Sequence, residues 1–133
     1  YFTYTVAIDG EETELTWKNT DKASSLKIGQ VFKFQMDGEY VKQANITAEN
    51  ATSVLSANED YVIVAGNTQY NLGAEEIYTI TREFEDEAAW NQGNGTPDSA
   101  TVSVGGSIEK DDSVILVLDE KDIVIAFVIE DIY

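Results

Sequence analysis

Apolar and polar positions alternate in short blocks along most of this chain, and the longest apolar block lies towards its end. Residues 113–118 and 123–129 are two apolar runs rich in β-branched side chains, parted by the polar Asp119-Glu120-Lys121-Asp122. Two such runs around a short polar break predict a β-hairpin. Nearly every position in both arms is apolar, so each arm should be covered on both faces.

Shifted by 82 residues without a gap, this block falls on an earlier one: Phe32 meets Val114, Phe34 meets Leu116, Met36 meets Leu118, Asp37 meets Asp119, Val41 meets Ile123 and Ala44 meets Ala126. Asp37-Gly38 predicts a two-residue loop whose central residues both take positive φ. Lys33 and Gln35 alternate with the apolar residues of this earlier copy, which predicts one wet face.

The opening of the chain recurs as well. Residues 3–8 alternate, Asp9-Gly10 turns them, and residues 13–17 return with Leu15 and Trp17 on one face. Residues 62–66 lie 56 positions after residues 6–10, whereas 68–72 lie 55 after 13–17, which predicts a shorter turn in the later copy. Two kinds of hairpin, each present twice in the same order, are a repeat.

The expected fold is therefore all-β: two related small antiparallel barrel or sandwich units built from repeated hairpins. Their bounds are 1–48 for a short first unit and 61–133 for the second. Between them, 49–60 is a linker, with 48–57 read as either a short helix or plain connector. By the offsets, the second unit carries an insertion of 27 residues at about 73–99. It holds a strand at 76–81 and an acidic loop from Arg82 to Asp98 with Trp90 and the single proline, Pro97; a short strand at 101–104 follows.

Composition narrows the function. The net charge is −17, with only 8 Lys and Arg among 133 residues. Such a chain repels phosphate backbones and anionic lipid, which excludes nucleic-acid binding and membrane-surface attachment. No apolar run is long enough to cross a bilayer, so direct membrane insertion is not expected. The acidity reads as solubility or, more sharply, as a surface that collects divalent cations. There is no Cys and no His. That removes disulfides, thiolate nucleophiles, the commonest general base and the commonest transition-metal ligand. With 25 acidic residues, paired carboxylates arise by chance, and no spacing marks a glycosidase pair, so a non-enzymatic protein is expected.

Two sets of residues stand out as candidates. Glu83, Glu85, Asp86 and Glu87 crowd the inserted loop, and oxygen-rich loops suit calcium, the one cofactor the residues suggest. Asp111, Asp112, Asp119, Glu120 and Asp122 sit at strand ends and read as solvated turns. Trp90 and Phe84 fall outside clear strand alternation; they are the candidates for contact with a partner, either a neighbouring subunit or a glycan face.

Taken in order, the second unit resembles a known kind of domain. Val62-Ile63-Val64-Ala65-Gly66, Thr68-Gln69-Tyr70-Asn71-Leu72, Ile77-Tyr78 and the hairpin from Val114 through Asp119 to Ile125 are similar to the acidic β-domains repeated in surface-layer and related cell-wall-anchored proteins of Gram-positive bacteria. In that family the second hairpin turn carries an Asp-x-Asp-Gly and a Gly-Asp precedes the first strand. Here Asp119-Glu120-Lys121-Asp122 lacks the glycine, and Asp111-Asp112 replaces the Gly-Asp. The resemblance implies an extracellular structural or displayed role at the cell surface or wall, with neighbouring copies or domains of the same protein as partners. It brings no catalytic residue with it.

Overall fold

A computed structural model describes residues 1–18, 26–46, 51–73, 75–91 and 96–133. Within them the chain forms eleven strands and one short helix. β1 (Phe2–Ile8), β2 (Glu11–Trp17), β3 (Phe32–Asp37) and β4 (Tyr40–Ile46) make one sheet in the order β1-β2-β4-β3. A second sheet takes β5 (Thr52–Ala57), β6 (Tyr61–Val64), β7 (Thr68–Asn71), β10 (Ser113–Asp119) and β11 (Asp122–Ile132). It runs β10-β5-β6-β7-β11, and β11 pairs back onto β10, so these five strands close into a barrel. β8 (Glu76–Glu83), α1 (Glu87–Asn91) and β9 (Ser99–Val104) extend from the barrel's side, with β8 along β11 and β9 outermost.

The all-β expectation holds, but the ladders are not uniformly antiparallel. β2 runs parallel to β4, and β11 runs parallel to both β7 and β8. The eleven residues of β11 divide this work. Asp122, at its start, pairs with Asn71 of β7, and residues 125–132 pair with β8.

The duplication extends to single residues. β3 and β4 pair from Phe32↔Ile46 to Asp37↔Tyr40, and β10 and β11 pair from Val114↔Val128 to Asp119↔Asp122, the same set displaced by 82. Each hairpin carries a bulge at the same place, with Lys42 the extra residue in one and Val124 in the other. A bulge adds local twist, and it brings Val41 and Ala44, like Ile123 and Ala126, onto one face despite their odd spacing. The parallel links correspond too: Thr16↔Tyr40 becomes Asn71↔Asp122. Both copies therefore have the strand order hairpin, parallel link, hairpin, as β1-β2-β4-β3 and as β6-β7-β11-β10.

Three expectations need correction. The loop between β3 and β4 is Gly38-Glu39 rather than Asp37-Gly38, because Asp37 is already paired with Tyr40, and positive φ falls on Gly38 alone (65°). In the β6–β7 hairpin the missing residue lengthens the turn instead of shortening it. Three residues, 65–67, connect Val64 to Thr68, whereas Asp9-Gly10 alone connects Ile8 to Glu11. Most consequential, the region read as linker or helix contains β5. Thr52, Val54 and Ala57 point inward, Val54 is buried, and the strand's backbone groups complete the ladders of both β6 and β10. Ladder closure between distant strands overrides the weak local pattern of Ser, Ala and Asn around it. The part of that stretch at 47–50 lies outside the described residues, as does the connector at 19–25.

Three apolar clusters hold these elements. Inside the barrel, Val54, Val62, Val64, Val114, Ile123, Ala126 and Val128 pack together. On the other face of the long hairpin, Ile115 and Ile129 pack with Ile80 of β8. Both arms are thus covered on two faces as expected, save for the bulged Val124, which is exposed. In the first sheet, Leu15, Trp17 and Val41 form the buried centre, with Tyr4, Val6, Ile8, Leu26, Phe32 and Phe34 around them. Lys33 and Gln35 face solvent, as the alternation requires. Sheet and barrel touch where Val31 joins the Ile80 cluster and where the Asp9-Gly10 turn meets β9. A Cβ on Gly10 would lie 2.6 Å from Val104 Cγ2, so only glycine allows that approach.

The matched turns yield a prediction. Gly38 (φ 65°) corresponds to Glu120 (φ 56°), so the second copy holds a side chain in a conformation that the first gives to glycine. A left-handed conformation costs an L-residue about 1–2 kcal/mol, partly offset by glycine's extra freedom when unfolded. Glu120→Gly is expected to stabilise the protein by roughly 0.5–1 kcal/mol, read as a raised midpoint in urea melts at unchanged slope.

Candidate functional site

The inserted segment builds a polar and aromatic cluster where β8 and β11 end. Parallel pairing sets Arg82 directly beside Asp131. Arg82, the only arginine in the sequence, donates from Nε to Asp131 Oδ1 at 2.6 Å and from Nη2 to Oδ2 at 2.7 Å. This forked geometry fits a guanidinium to a carboxylate in a way that lysine cannot reproduce. The Trp90 indole N–H also donates to Asp131 Oδ2, at 2.9 Å. The Trp90 ring stacks on Tyr133 with centroids 4.6 Å apart and 22° between planes. The guanidinium carbon lies 5.6 Å from the centre of the Phe84 ring.

Each of the candidate carboxylates has its own setting. Asp86 precedes α1 and caps it: its Oδ1 accepts the Ala89 N–H at 2.8 Å, and its carbonyl accepts the Trp90 N–H at 3.1 Å. Glu83 ends β8 and accepts the Ser99 hydroxyl at 3.2 Å. Glu85 and Glu87 are exposed. Among the described residues no three carboxylates converge in a group that could hold a metal ion, so these four are not brought together. The acidic turns show local uses of their side chains: Asp112 Oδ2 accepts the Glu109 N–H at 2.8 Å, and Asp122 Oδ1 accepts the Asn71 amide at 3.0 Å.

Of the two aromatic candidates, only Trp90 presents a surface. It is 37% exposed and Tyr133 is 56% exposed, so the stacked pair shows outer faces to solvent. Phe84 turns inward beneath Arg82 at 9% exposure, and its N–H donates to the Ile132 carbonyl. Arg82, Asp131 and Tyr133 were not among the candidates. Asp131 and Tyr133 are far from the loop in sequence, and only the parallel β8–β11 pairing brings them to it; a lone Arg beyond a strand carries no such signal.

Chemically, the cluster is a clamp. Partial burial pushes the Asp131 carboxyl up, but the hydrogen bonds from Arg82 and Trp90, with the Arg82 charge, outweigh it and hold the group below the usual carboxylate range. A carboxylate whose folded pKa is depressed stabilises the fold above its unfolded pKa of about 4, and that contribution is lost as pH falls through the folded value. Asp131→Asn is expected to cost about 1–2 kcal/mol near neutral pH, kept modest by solvent at the sheet's end. The gap between variant and native melts should close below about pH 4, which thermal scans across pH would show.

Comparison with protein-family models, with curated proteins and with solved structures finds no match to this chain.

Proposed function

We propose that this chain is a non-enzymatic structural module of a bacterial cell-surface protein, packing against neighbouring copies or domains of the same protein in a layer or fibre. The observation that carries this reading is the duplication: one chain holds the same four-strand core twice, down to register and bulge. Serial copies of a small β-unit are how extended arrays are built. The acidity and the absence of Cys accord with an extracellular wall protein, and the resemblance of residues 61–133 to acidic surface-layer domains points the same way.

The test is light scattering behind a sizing column, over a range of protein concentrations, in millimolar calcium and then in EDTA. An assembling module should grow into large species, and dependence on calcium would assign the bridging to its acidic side chains. A monomer at every concentration in both buffers would overturn the assembly role.

A second reading, an extracellular adhesion module for glycan or protein, is favoured by the stacked Trp90–Tyr133 pair at the surface. Under it, Trp90→Ala abolishes binding on a glycan or host-protein panel and leaves the fold intact.

A further inference from the structure

The outermost strand beside the barrel is paired on one side only. β9 joins β8, and among the described residues no backbone hydrogen bond reaches its other side. We propose that β9 is the contact through which two copies of this chain join, strand against antiparallel strand, about a two-fold axis at Val102. This names a surface for the packing between copies proposed above and rests on that reading.

The segments that flank β9 leave its edge clear. Before it, the Asp98 N–H donates to the Glu83 carbonyl at 2.7 Å, and Pro97 lies against Gly29, where a Cβ would stand 3.7 Å from Pro97 Cγ. After it, the Gly105 N–H donates to the Ile77 carbonyl at 2.8 Å, and the Thr79 hydroxyl donates to the Gly105 carbonyl at 3.1 Å. Gly106 (φ 120°) then passes so close to β8 that a Cβ there would stand 2.7 Å from Thr79 Oγ1, an approach open to glycine. Both flanks turn towards β8 or the first sheet, and neither runs along the outer side of β9.

The register shows what that edge offers. In an antiparallel ladder, residues that exchange bonds with the partner alternate with residues that do not. Gly105 bonds Ile77 and the pairing continues from Tyr78↔Val104 to Glu83↔Ser99, so Ser103, Thr101 and Ser99 bond β8. Ala100, Val102 and Val104 therefore turn their N–H and carbonyl groups outward. A second β9 with Val102 opposite Val102 uses all of them, because Ala100 of each copy then meets Val104 of the other. Each of these pairs exchanges two bonds. Sliding the second strand by one residue turns its side chains to the other face, and sliding it by two leaves Ala100 or Val104 without a strand partner.

Side chains and charge fit the same register. Ala100 and Val102 pack with Ile80 and Val31. Val104 follows on their face and is 74% exposed, the most exposed aliphatic side chain among the described residues. In the pair it lies beside the small Ala100 of the second copy. β9 carries neither a charged residue nor a proline, the devices by which edge strands resist pairing. Two chains of charge −17 approach most readily where acidic side chains are absent, and here Asp98 falls opposite Gly106, so no carboxylate faces another across the seam.

The chain has no cysteine, so introduced cysteines report the register. Opposed residues of a bonded pair have Cα atoms about 5.5 Å apart, within disulfide reach. Val102→Cys should oxidise to a cross-linked dimer, whereas Thr101→Cys and Ser103→Cys should each stay uncross-linked alone and cross-link when mixed. In sedimentation equilibrium, association should strengthen as salt screens the repulsion between copies. Ala100→Pro should weaken it about tenfold or more, with an unchanged far-UV spectrum, because proline removes an outward N–H from each copy and none from the β8 ladder. Assembly that ignores Ala100→Pro, or that gives no cross-link at Val102, would overturn the β9 contact and leave packing between copies standing. A native chain that is monomeric at every concentration would overturn both. A dimer that grows no further would support the β9 contact and overturn the layer or fibre.

Discussion

Trp17→Ala is expected to unfold the first sheet and leave the barrel standing. Trp17 has no solvent exposure; Tyr4 meets its ring edge-on at 5.4 Å and Phe32 lies 6.3 Å away. It occupies the centre of a cluster whose other buried members among the described residues are Leu15 and Val41, so little is at hand to refill the space it leaves. Truncating a buried tryptophan costs about 3–5 kcal/mol. A four-stranded sheet of this size has little stability beyond that to lose. Amide NMR at moderate temperature should show the signals of β1–β4 collapsing while those of β5–β11 persist. A single transition that takes the whole molecule would instead show that sheet and barrel fold as one unit. The Trp17 indole N–H has no acceptor among the described residues. Trp17→Phe removes that unpaired donor and should therefore cost well under the alanine variant.

The second large effect is expected at Val54, where Val54→Asp should open the barrel. The side chain is buried with Val62, Val64 and Val114 on the neighbouring strands. A carboxyl placed there finds no cation and no donor in the cluster, and its burial costs about 4 kcal/mol. Burial raises the pKa of such a group, so the variant is least impaired when the group is protonated and loses further stability as pH rises above about 4. Relative to the native protein, urea midpoints should diverge towards neutral pH. Hydrogen exchange should speed up along β5, β6 and the start of β10, and β1–β4 should be unchanged. Protection retained in β5 would show that the strand is held by its backbone ladder rather than by Val54.

The two predictions divide the molecule along a line that was only partly visible in its residues. The hairpins were legible because each is local: alternation, a polar break and a return fall within about twenty residues. The repeat was legible because core positions recur at a constant offset, and its agreement in register and bulge follows from the same side chains meeting the same neighbours. β5 was not legible. Thr52-Ser53-Val54-Leu55-Ser56 has one deeply buried residue and no apolar alternation, and the side of the strand away from β6 is completed only by β10, some sixty residues away. The Arg82–Asp131 clamp was hidden for the same reason, since its partners meet only through a parallel ladder. Acidic density drew the eye to the 83–87 loop, but there the carboxylates serve a helix cap and a hydroxyl rather than a shared centre.

The long reach of β5 also orders events in time. Hairpins β5–β6, β6–β7 and β10–β11 join neighbours in sequence and can form early, whereas the β5–β10 ladder must wait until β10 has been made and brought back to β5. Before that closure the second copy is an open sheet with β5 and β10 as its edges. During folding, the barrel passes through an open sheet, the arrangement that the first copy shows among the described residues.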